Sequence, residues 1–241
     1  MTLKETGEPA SNSKNGNRLI DGLPRMEREA VLAQCERVEL APGTVLCEAG
    51  EPFKHAYFPL TGNISLVKTI PGHDPFETES IGNEGMLGTA LILGVNCAPQ
   101  RGIVQTPCLA LQMITGEMKA ALHRHPALGR ILQRYLYVVL AELSQTAGCI
   151  RFHDVGNRLA RGLLLAQDRL PTDYLPFTHQ FLADMLGVQR GAVTIAAMKL
   201  QRQGIIRYSR GKISILDRGG LEAASCGCYG ASIENYTTIL S

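Results

Sequence analysis

The stretch "FLADMLGVQRGAVTIAAMKLQRQGIIRYSRGKISIL", from Phe181 to Leu216, constrains the fold more than any other part of the chain. Leu182, Ala183 and Leu186 share one face of a first helix, and Thr178 stands where a side-chain oxygen can cap it. Gly187 follows where the chain must turn sharply, and glycine accepts positive φ without strain. Val193, Ala196 and Leu200 mark a second helix. Small Ala183 lies four residues before Gly187, and β-branched Val193 lies six after it. Two helices crossing steeply over a short turn need a small residue at closest approach and an apolar wedge between them. Ile206 and Tyr208, then Ile213 and Ile215, alternate with polar residues about Ser209-Arg210-Gly211, which predicts a β-hairpin. The pattern is a helix-turn-helix with a wing.

The second helix opens on Gly191, Ala192, Val193, Thr194, Ile195, Ala196 and Ala197, a run poor enough in polar groups to suit a buried core helix. Charge argues against that. Gly187 to Arg218 holds seven cations and one acid, Asp217, so it carries +6, whereas the whole chain carries only +2. The remainder is therefore −4. Basic charge concentrated on one motif is what phosphate binding requires.

The rest of the chain has two further textures. Residues 1–18 are polar and read as a disordered tail. From about Val38 to Met113, short apolar runs are broken at Pro42-Gly43, Gly50-Glu51-Pro52, Thr61-Gly62-Asn63 and Pro71-Gly72, which predicts an antiparallel sandwich or barrel over 19–125. Turn signals then cease. Pro126 suits a first helical turn, and Leu128, Leu132, Tyr135, Val139, Leu143, Thr146 and Ile150 follow as one stripe over about six turns. That stripe can form a dimer seam over 126–150 or pack on its own domain's core; the seam is the reading adopted. Residues 151–241 form the DNA-binding domain, and the fold class is α+β.

At 241 residues and 45% hydrophobic content, two domains can each bury a core. No window approaches 18 consecutive apolar residues, so no membrane span or membrane partner is expected. Polar residues and Pro9 follow Lys4 where a leader needs an apolar run, so the expected compartment is the cytoplasm. Seven scattered cysteines suit reduced thiols there. Cys226 and Cys228 read as a surface thiol pair, and His123 and His125 as surface histidines. No nucleophile–base pair, phosphate loop or metal-ligand motif stands out, so no catalytic residue, metal ligand or enzyme activity is assigned.

The segments "APGTVLCEAGEP", "YFPLTGNISLV", "GNEGMLG" and "FTHQFLADMLGVQRGAVTIAAMKLQRQGII" resemble the Crp/Fnr family of transcriptional regulators over about residues 20–226. The resemblance implies a cyclic-nucleotide-binding-like β-roll, a long dimer helix and a C-terminal winged helix. It implies a homodimer on double-stranded DNA with a pseudo-palindromic site, half-sites one helical turn apart, and RNA polymerase as a further partner. The departures bear on the effector. In cyclic-nucleotide binders a Gly-Glu pair holds the ribose and a later Arg pairs with the phosphate. Here Gly88 keeps the first slot, Thr89 replaces the Glu, and the Arg slot falls on Gln100, with Arg101 one step on and so turned to the opposite strand face. Control by cyclic AMP is therefore not expected. The first 34 residues contain no cysteine, so the oxygen sensors' iron–sulfur ligands are missing, and no haem signature is intact. The cofactor stays unknown. The alternative function is a cyclic-nucleotide-binding regulatory module with no DNA role.

Family recognition helices carry an Arg, an adjacent Glu and a later Arg or Ser. Arg190 keeps the first slot, while Gly191 and Ile195 replace the others. Gln189, Arg190, Thr194 and Lys199 are the expected contacts from this helix, with Thr178, His179, Gln180, Arg210 and Lys212 anchoring the phosphate backbone. Arginine can fork onto guanine O6 and N7, and apolar side chains can touch thymine methyls, so a T-rich half-site with a guanine is expected. Arg190→Ala should cost about 1–3 kcal/mol on the preferred site and relax preference at one base pair. Equal weakening on all sequences, measured by competition binding, would refute direct readout by Arg190.

Overall fold

The computed structural model describes residues 16–170, 172 and 174–240. The expected tail thus lies outside the described residues up to position 15, but its last residues belong to the fold. Asn17 is buried: its side-chain oxygen caps α1 (Arg18–Asp21), and its amide donates to the carbonyls of Pro59 and Gly85 at 3.0 and 2.9 Å. A second short helix, α2 (Arg25–Leu32), leads into the sheets.

Two antiparallel sheets form the first domain. One has the order β1 (Glu36–Leu40), β7 (Cys108–Ile114), β3 (His55–Thr61). The other runs β2 (Val45–Cys47), β6 (Arg101–Val104), β4 (Ile64–Lys68), β5 (Phe76–Ile81). Their inner faces bury Phe58, Ile64, Ile81, Leu87 and Met113 together. Helix α3 (Thr115–Arg124) packs on β3 and β7, which is why β3 is buried along nearly all its length rather than on alternate residues.

Helix α4 (Pro126–Phe152) is about 40 Å long at 1.5 Å per residue. Leu128, Leu132, Tyr135 and Val139, the first half of the stripe read above as a dimer seam, are buried in the β-roll core instead. The reason is geometric: a helix of this length has two usable faces, and its most apolar one covers its own domain. Gln133, Tyr137, Leu140, Ser144 and Ala147 remain exposed on the other side, at spacings of 4, 3, 4 and 3.

The second domain is built on α5 (Val155–Arg169), capped by Asp154, whose side chain accepts from the Asn157 amide at 2.8 Å. It continues through α6 (His179–Leu186), α7 (Arg190–Arg202), β8 (Ile206–Ser209), β9 (Lys212–Ile215) and α8 (Arg218–Ala224), around a core that includes Leu163, Leu182, Val193 and Ile213. The last helix, α9 (Cys228–Leu240), leaves this head and packs along α4, placing Tyr236 and Leu240 against the β-roll core. On α4, Glu142 accepts from Ser232 and Asn235 of α9 at 2.7 and 3.0 Å. The final helix thus spans both units, with Tyr229 against the head's core and Tyr236 and Leu240 against the β-roll.

A buried ion pair joins the two domains. Arg169, at the end of α5, bonds Glu84 at 2.7 Å, with the two side chains 13% and 9% exposed. A Cβ at Gly82 would meet the Arg169 stem at 2.8 Å, so glycine is what lets the chain pass. Glu77 and Glu79 of β5 line the same junction, Glu77 bonded to Ser65 and Glu79 accepting from Tyr135 at 3.3 Å. Burial lowers and Glu84 then raises the Arg169 pKa, and the carboxylate wins, so the guanidinium stays charged. Burial pushes the Glu77 and Glu79 carboxyls up to about 7 from an ordinary 4.5, against the pull of their hydrogen bonds and of Arg169.

These shifts have a definite sign. Between pH 4.5 and about 7 the folded chain holds protons that the unfolded chain has released, so stability from this pair falls as pH rises through that window. The E77Q/E79Q variant should flatten the fall in Tm between pH 5 and 8. It should raise Tm at pH 8 by about 2–4 °C per kcal/mol of relief. Parallel pH profiles for the two proteins would show that neither carboxyl is protonated in the fold.

Candidate nucleic-acid interface

The helix-turn-helix forms as the spacing requires. Thr178 caps α6 by accepting from the Phe181 amide at 3.1 Å. Gly187 ends it at φ 62°, and the Val188 amide reaches back to the Ala183 carbonyl at 3.0 Å, a Schellman closure. Ala183 and Val193 meet in the head's core. The wing turns on two residues only, since Ser209 pairs with Lys212 across it. Arg210 (φ 49°) and Gly211 (φ 76°) give it the type I′ form that suits the strand twist. Arginine in this conformation costs about 1–2 kcal/mol, which places a cation at the tip against local preference.

Two of the expected DNA contacts work inside the motif. His179 stacks on Tyr208 of the wing, 4.1 Å between ring centres, and its Nδ1 lies 3.0 Å from Thr194 Oγ1. Thr194 in turn donates to the Arg190 carbonyl at 3.0 Å. With that hydroxyl proton committed, Nδ1 is the donor to Thr194, and the buried Nε2 is left without a partner. Burial, then the neighbouring Arg190 charge, hold the imidazole pKa down, so the ring is neutral. His179 thereby ties α6, α7 and the wing together. Gln180 is partly occupied as well, donating to Asp184 at 2.8 Å.

The remaining expected contacts face outward. Gln189, Arg190, Lys199, Arg210 and Lys212 are exposed. Arg190, Lys199, Arg202, Arg207, Arg210 and Lys212 make no ion pair among the described residues. Lys212 lies over the Tyr174 ring at 4.5 Å, which orients it without neutralising it. Arg218, counted with them from sequence, is different: it bonds Asp168 and Glu222 at 2.8 and 2.9 Å and serves the head's own structure. On α7, Ile195 is 73% exposed and Met198 48%. The apolar residues that made this helix look like core are partly its outer surface.

Gln180, Gln189 and Arg190 also border a cleft of about 1050 Å³, whose far wall is Asp74, Glu77 and Glu79. The start of the recognition helix thus looks toward the acidic edge of its own β-roll.

In the β-roll, Gly88 (φ 108°) starts the short 3-10 turn Thr89–Leu93 beside Ala56. Thr89 and Gln100 are half-buried, and the Gln100 carbonyl accepts from the Cys47 thiol at 3.7 Å. Strand parity decides Arg101. Gly102 points inward, where a Cβ would strike Cys47 and Leu87, so Arg101 points out and pairs with Glu48 at 3.4 Å. Arg101 therefore faces away from the interior of the roll.

One reading needs correction. Cys226 and Cys228 are not at the surface: they are 7% and 4% exposed and sit beside Cys149, because α9 folds back on α4. Sequence reasoning also missed Arg169 and Glu84. Among the described residues, no helix is long and apolar enough to cross a membrane.

Comparison with known proteins agrees with this architecture. Residues 157–224 match the Crp-like helix-turn-helix domain, and residues 37–125 match the cyclic nucleotide-binding domain. The chain is similar to the cyclic AMP receptor protein of Thermus thermophilus, 23% identical over 214 residues, covering 88% of this chain and 98% of that one. It is similar to the global nitrogen regulator of Nostoc, 22% identical over 176 residues, covering 69% and 78%. In fold it is similar to FixK2 of Bradyrhizobium japonicum, with a TM-score of 0.66, 14% identity, and coverage of 80% of this chain and 98% of that one. The two domain matches, in this order and around this helix-turn-helix, establish that the chain belongs to the Crp/Fnr family of DNA-binding transcription regulators.

Proposed function

We propose that the chain acts as a homodimer on a pseudo-palindromic duplex site, with α7 in the major groove, Gln189 and Arg190 at base edges, and Arg210 and Lys212 on phosphates. The observation that carries this is the outer face of α7 and the wing, where unpaired cations surround exposed Ile195 and Met198. Phosphate contacts supply most of the affinity, and few groups remain to specify bases. Thr194 and His179 act by positioning, since their polar atoms are used within the motif. The dimer seam is the exposed Gln133, Tyr137, Leu140, Ser144 and Ala147 face, whose spacing fits a coiled-coil stripe.

Cyclic AMP is not the proposed effector, because Arg101 points outward and Thr89 stands in the Glu slot. The effector pocket therefore has no assigned ligand. The proposal gives the chain no catalytic step. It takes the cytoplasm as the compartment and, on the family likeness alone, RNA polymerase as a further partner.

The docked head suggests the switch. A cleft of about 1050 Å³ suits a small molecule and not a duplex, so Gln189 and Arg190 reach DNA when the head swings away from β5. The Arg169–Glu84 pair opposes that swing, and any signal acts by shifting a pre-existing population.

Selection from a random duplex library should return an inverted repeat, with affinity falling steeply as salt rises. Recovery of no preferred duplex, or of salt-insensitive binding, would refute the function. Arg169→Ala should enlarge the radius of gyration in solution and tighten operator binding about tenfold, close to 1.4 kcal/mol. An unchanged radius and affinity would mean that docking does not limit DNA access. At Gly191 an added Cβ meets nothing within 4 Å. Gly191→Ala should therefore stabilise the head by up to about 1 kcal/mol, yet weaken operator binding if DNA approaches that backbone closely. A gain in both would show that DNA does not come near it.

A further inference from the structure

Four chemically distinctive side chains meet where the head joins the rest of the chain. Cys149 lies in the last turn of α4, and His153 is the residue that ends that helix. Cys226 follows α8, and Cys228 opens α9. The three cysteines are buried and form a cluster of their own, apart from the two aliphatic cores. Cys149 Sγ lies 3.6 Å from Cys226 Sγ, and Cys228 Sγ lies 3.5 Å from His153 Nδ1. All four donor atoms fall within 4.8 Å of one another.

These separations can be compared with a coordination sphere. A tetrahedral zinc ion with Zn–S near 2.3 Å and Zn–N near 2.0–2.1 Å sets its ligands about 3.8 Å apart for two sulfurs and about 3.6 Å for sulfur and nitrogen. The two close pairs match those values before any ion is considered. An iron–sulfur cluster distributes its ligands over two or four irons and needs a wider spread than this. A Cys149–Cys226 disulfide would leave Cys228 and His153 without a role. Three thiolates and an imidazole are also the soft donor set that selects zinc over the hard cations.

The surroundings suit a bound metal. Gln145 Nε2 donates to Cys228 Sγ at 2.9 Å, the kind of outer bond that orients a thiolate ligand. Arg158 and Arg161 of α5 lie within electrostatic reach of the thiols. Their charge offsets the net −1 of a zinc ion with three thiolates.

We propose that Cys149, His153, Cys226 and Cys228 bind one zinc ion per chain in a closed tetrahedral site. On binding, each thiol releases its proton to solvent, and no electron is transferred. The site clasps both points at which the chain enters and leaves the head, Cys149–His153 on one side and Cys226–Cys228 on the other. Zinc occupancy therefore fixes the pivot about which the head moves. That coupling rests on the DNA-binding function proposed above, whereas the metal site does not.

The test uses the full chain, purified under reducing conditions without chelators. Elemental analysis should find one zinc per chain, and exchange with Co²⁺ should give the visible bands and thiolate charge transfer of a tetrahedral S₃N site. Cys149→Ser, Cys226→Ser and Cys228→Ser should each lose the metal, while Cys97→Ser, at an exposed cysteine, should keep it. Because a serine variant can fail by misfolding, His153→Cys provides a second reading: it should retain one Co²⁺ with a stronger charge-transfer band. A folded chain with no metal and no tetrahedral cobalt spectrum would overturn the site. So would iron with sulfide, or a Cys149–Cys226 disulfide in metal-free protein. Stripping zinc should change operator affinity about fivefold or more. Unchanged affinity with zinc bound stoichiometrically would overturn the coupling alone. Failure of both zinc-loaded and stripped protein to bind any duplex would overturn the proposed function and leave the site standing.

Discussion

A buried contact, the guanidinium of Arg169 against Glu84, ties the DNA head to the β-roll. It is an ion pair between domains rather than within one, and Arg161 of α5 makes a second with Glu142 of α4 at 3.3 Å. A buried pair of this sort adds little net stability, because desolvating both ions offsets most of their attraction. It is costly to break on one side only, and that asymmetry makes it a latch. Glu77 and Glu79 add a proton-dependent element, since charging them leaves two more anions around a single cation. Arg169 also lines the cleft between β5 and the start of α7.

How much of this could be read from the sequence depends on distance along the chain. The helix-turn-helix was legible because its constraint is local: Ala183, Gly187 and Val193 lie within eleven residues and answer to one turn. The departure at Arg101 was legible too, since strand parity needs only its neighbours. The stripe on α4 misled because helical periodicity shows that a face is buried and not what buries it. Leu128 to Val139 went to the β-roll, which leaves the less apolar face of α4 exposed. Glu77, Glu79 and Glu84 carry no local sign of burial, and nothing near them announces Arg169, 85 positions from Glu84. Cys149 and His153 stand four apart at the end of one helix, a local spacing that suits a ligand pair. Their partners came into view only with α9 folded back.

The composition of the recognition helix has a physical meaning once its faces are known. Val193, Ala196, Ala197 and Leu200 fill the core, and Ile195 and Met198 do not. With Thr194 bound internally, the outward chemistry of the helix's first turns reduces to Arg190, Gln189, a bare backbone at Gly191 and apolar Ile195 and Met198, with the cations Lys199 and Arg202 at its far end. On the proposed DNA-binding mode, such a surface discriminates by a single forked hydrogen bond and by methyl contacts. Its tolerance of sequence variation should be wide away from those positions, and the energy of deforming the duplex becomes a larger part of what selectivity there is.

The route of the chain through the head has a mechanical consequence. Cys149 and Cys226 are 77 residues apart in sequence, yet their sulfurs touch. Everything between them, the whole winged helix, hangs from that point as a lobe on one stem. A lobe attached at two separated points can only bend. One attached at a single point can turn through a wide arc with no strain in the helices that carry it, until something else stops it. The stops here are two ion pairs, Arg161–Glu142 and Arg169–Glu84. Under the function proposed above, a clasped stem with separate catches lets the reading face change direction while α4 stays still.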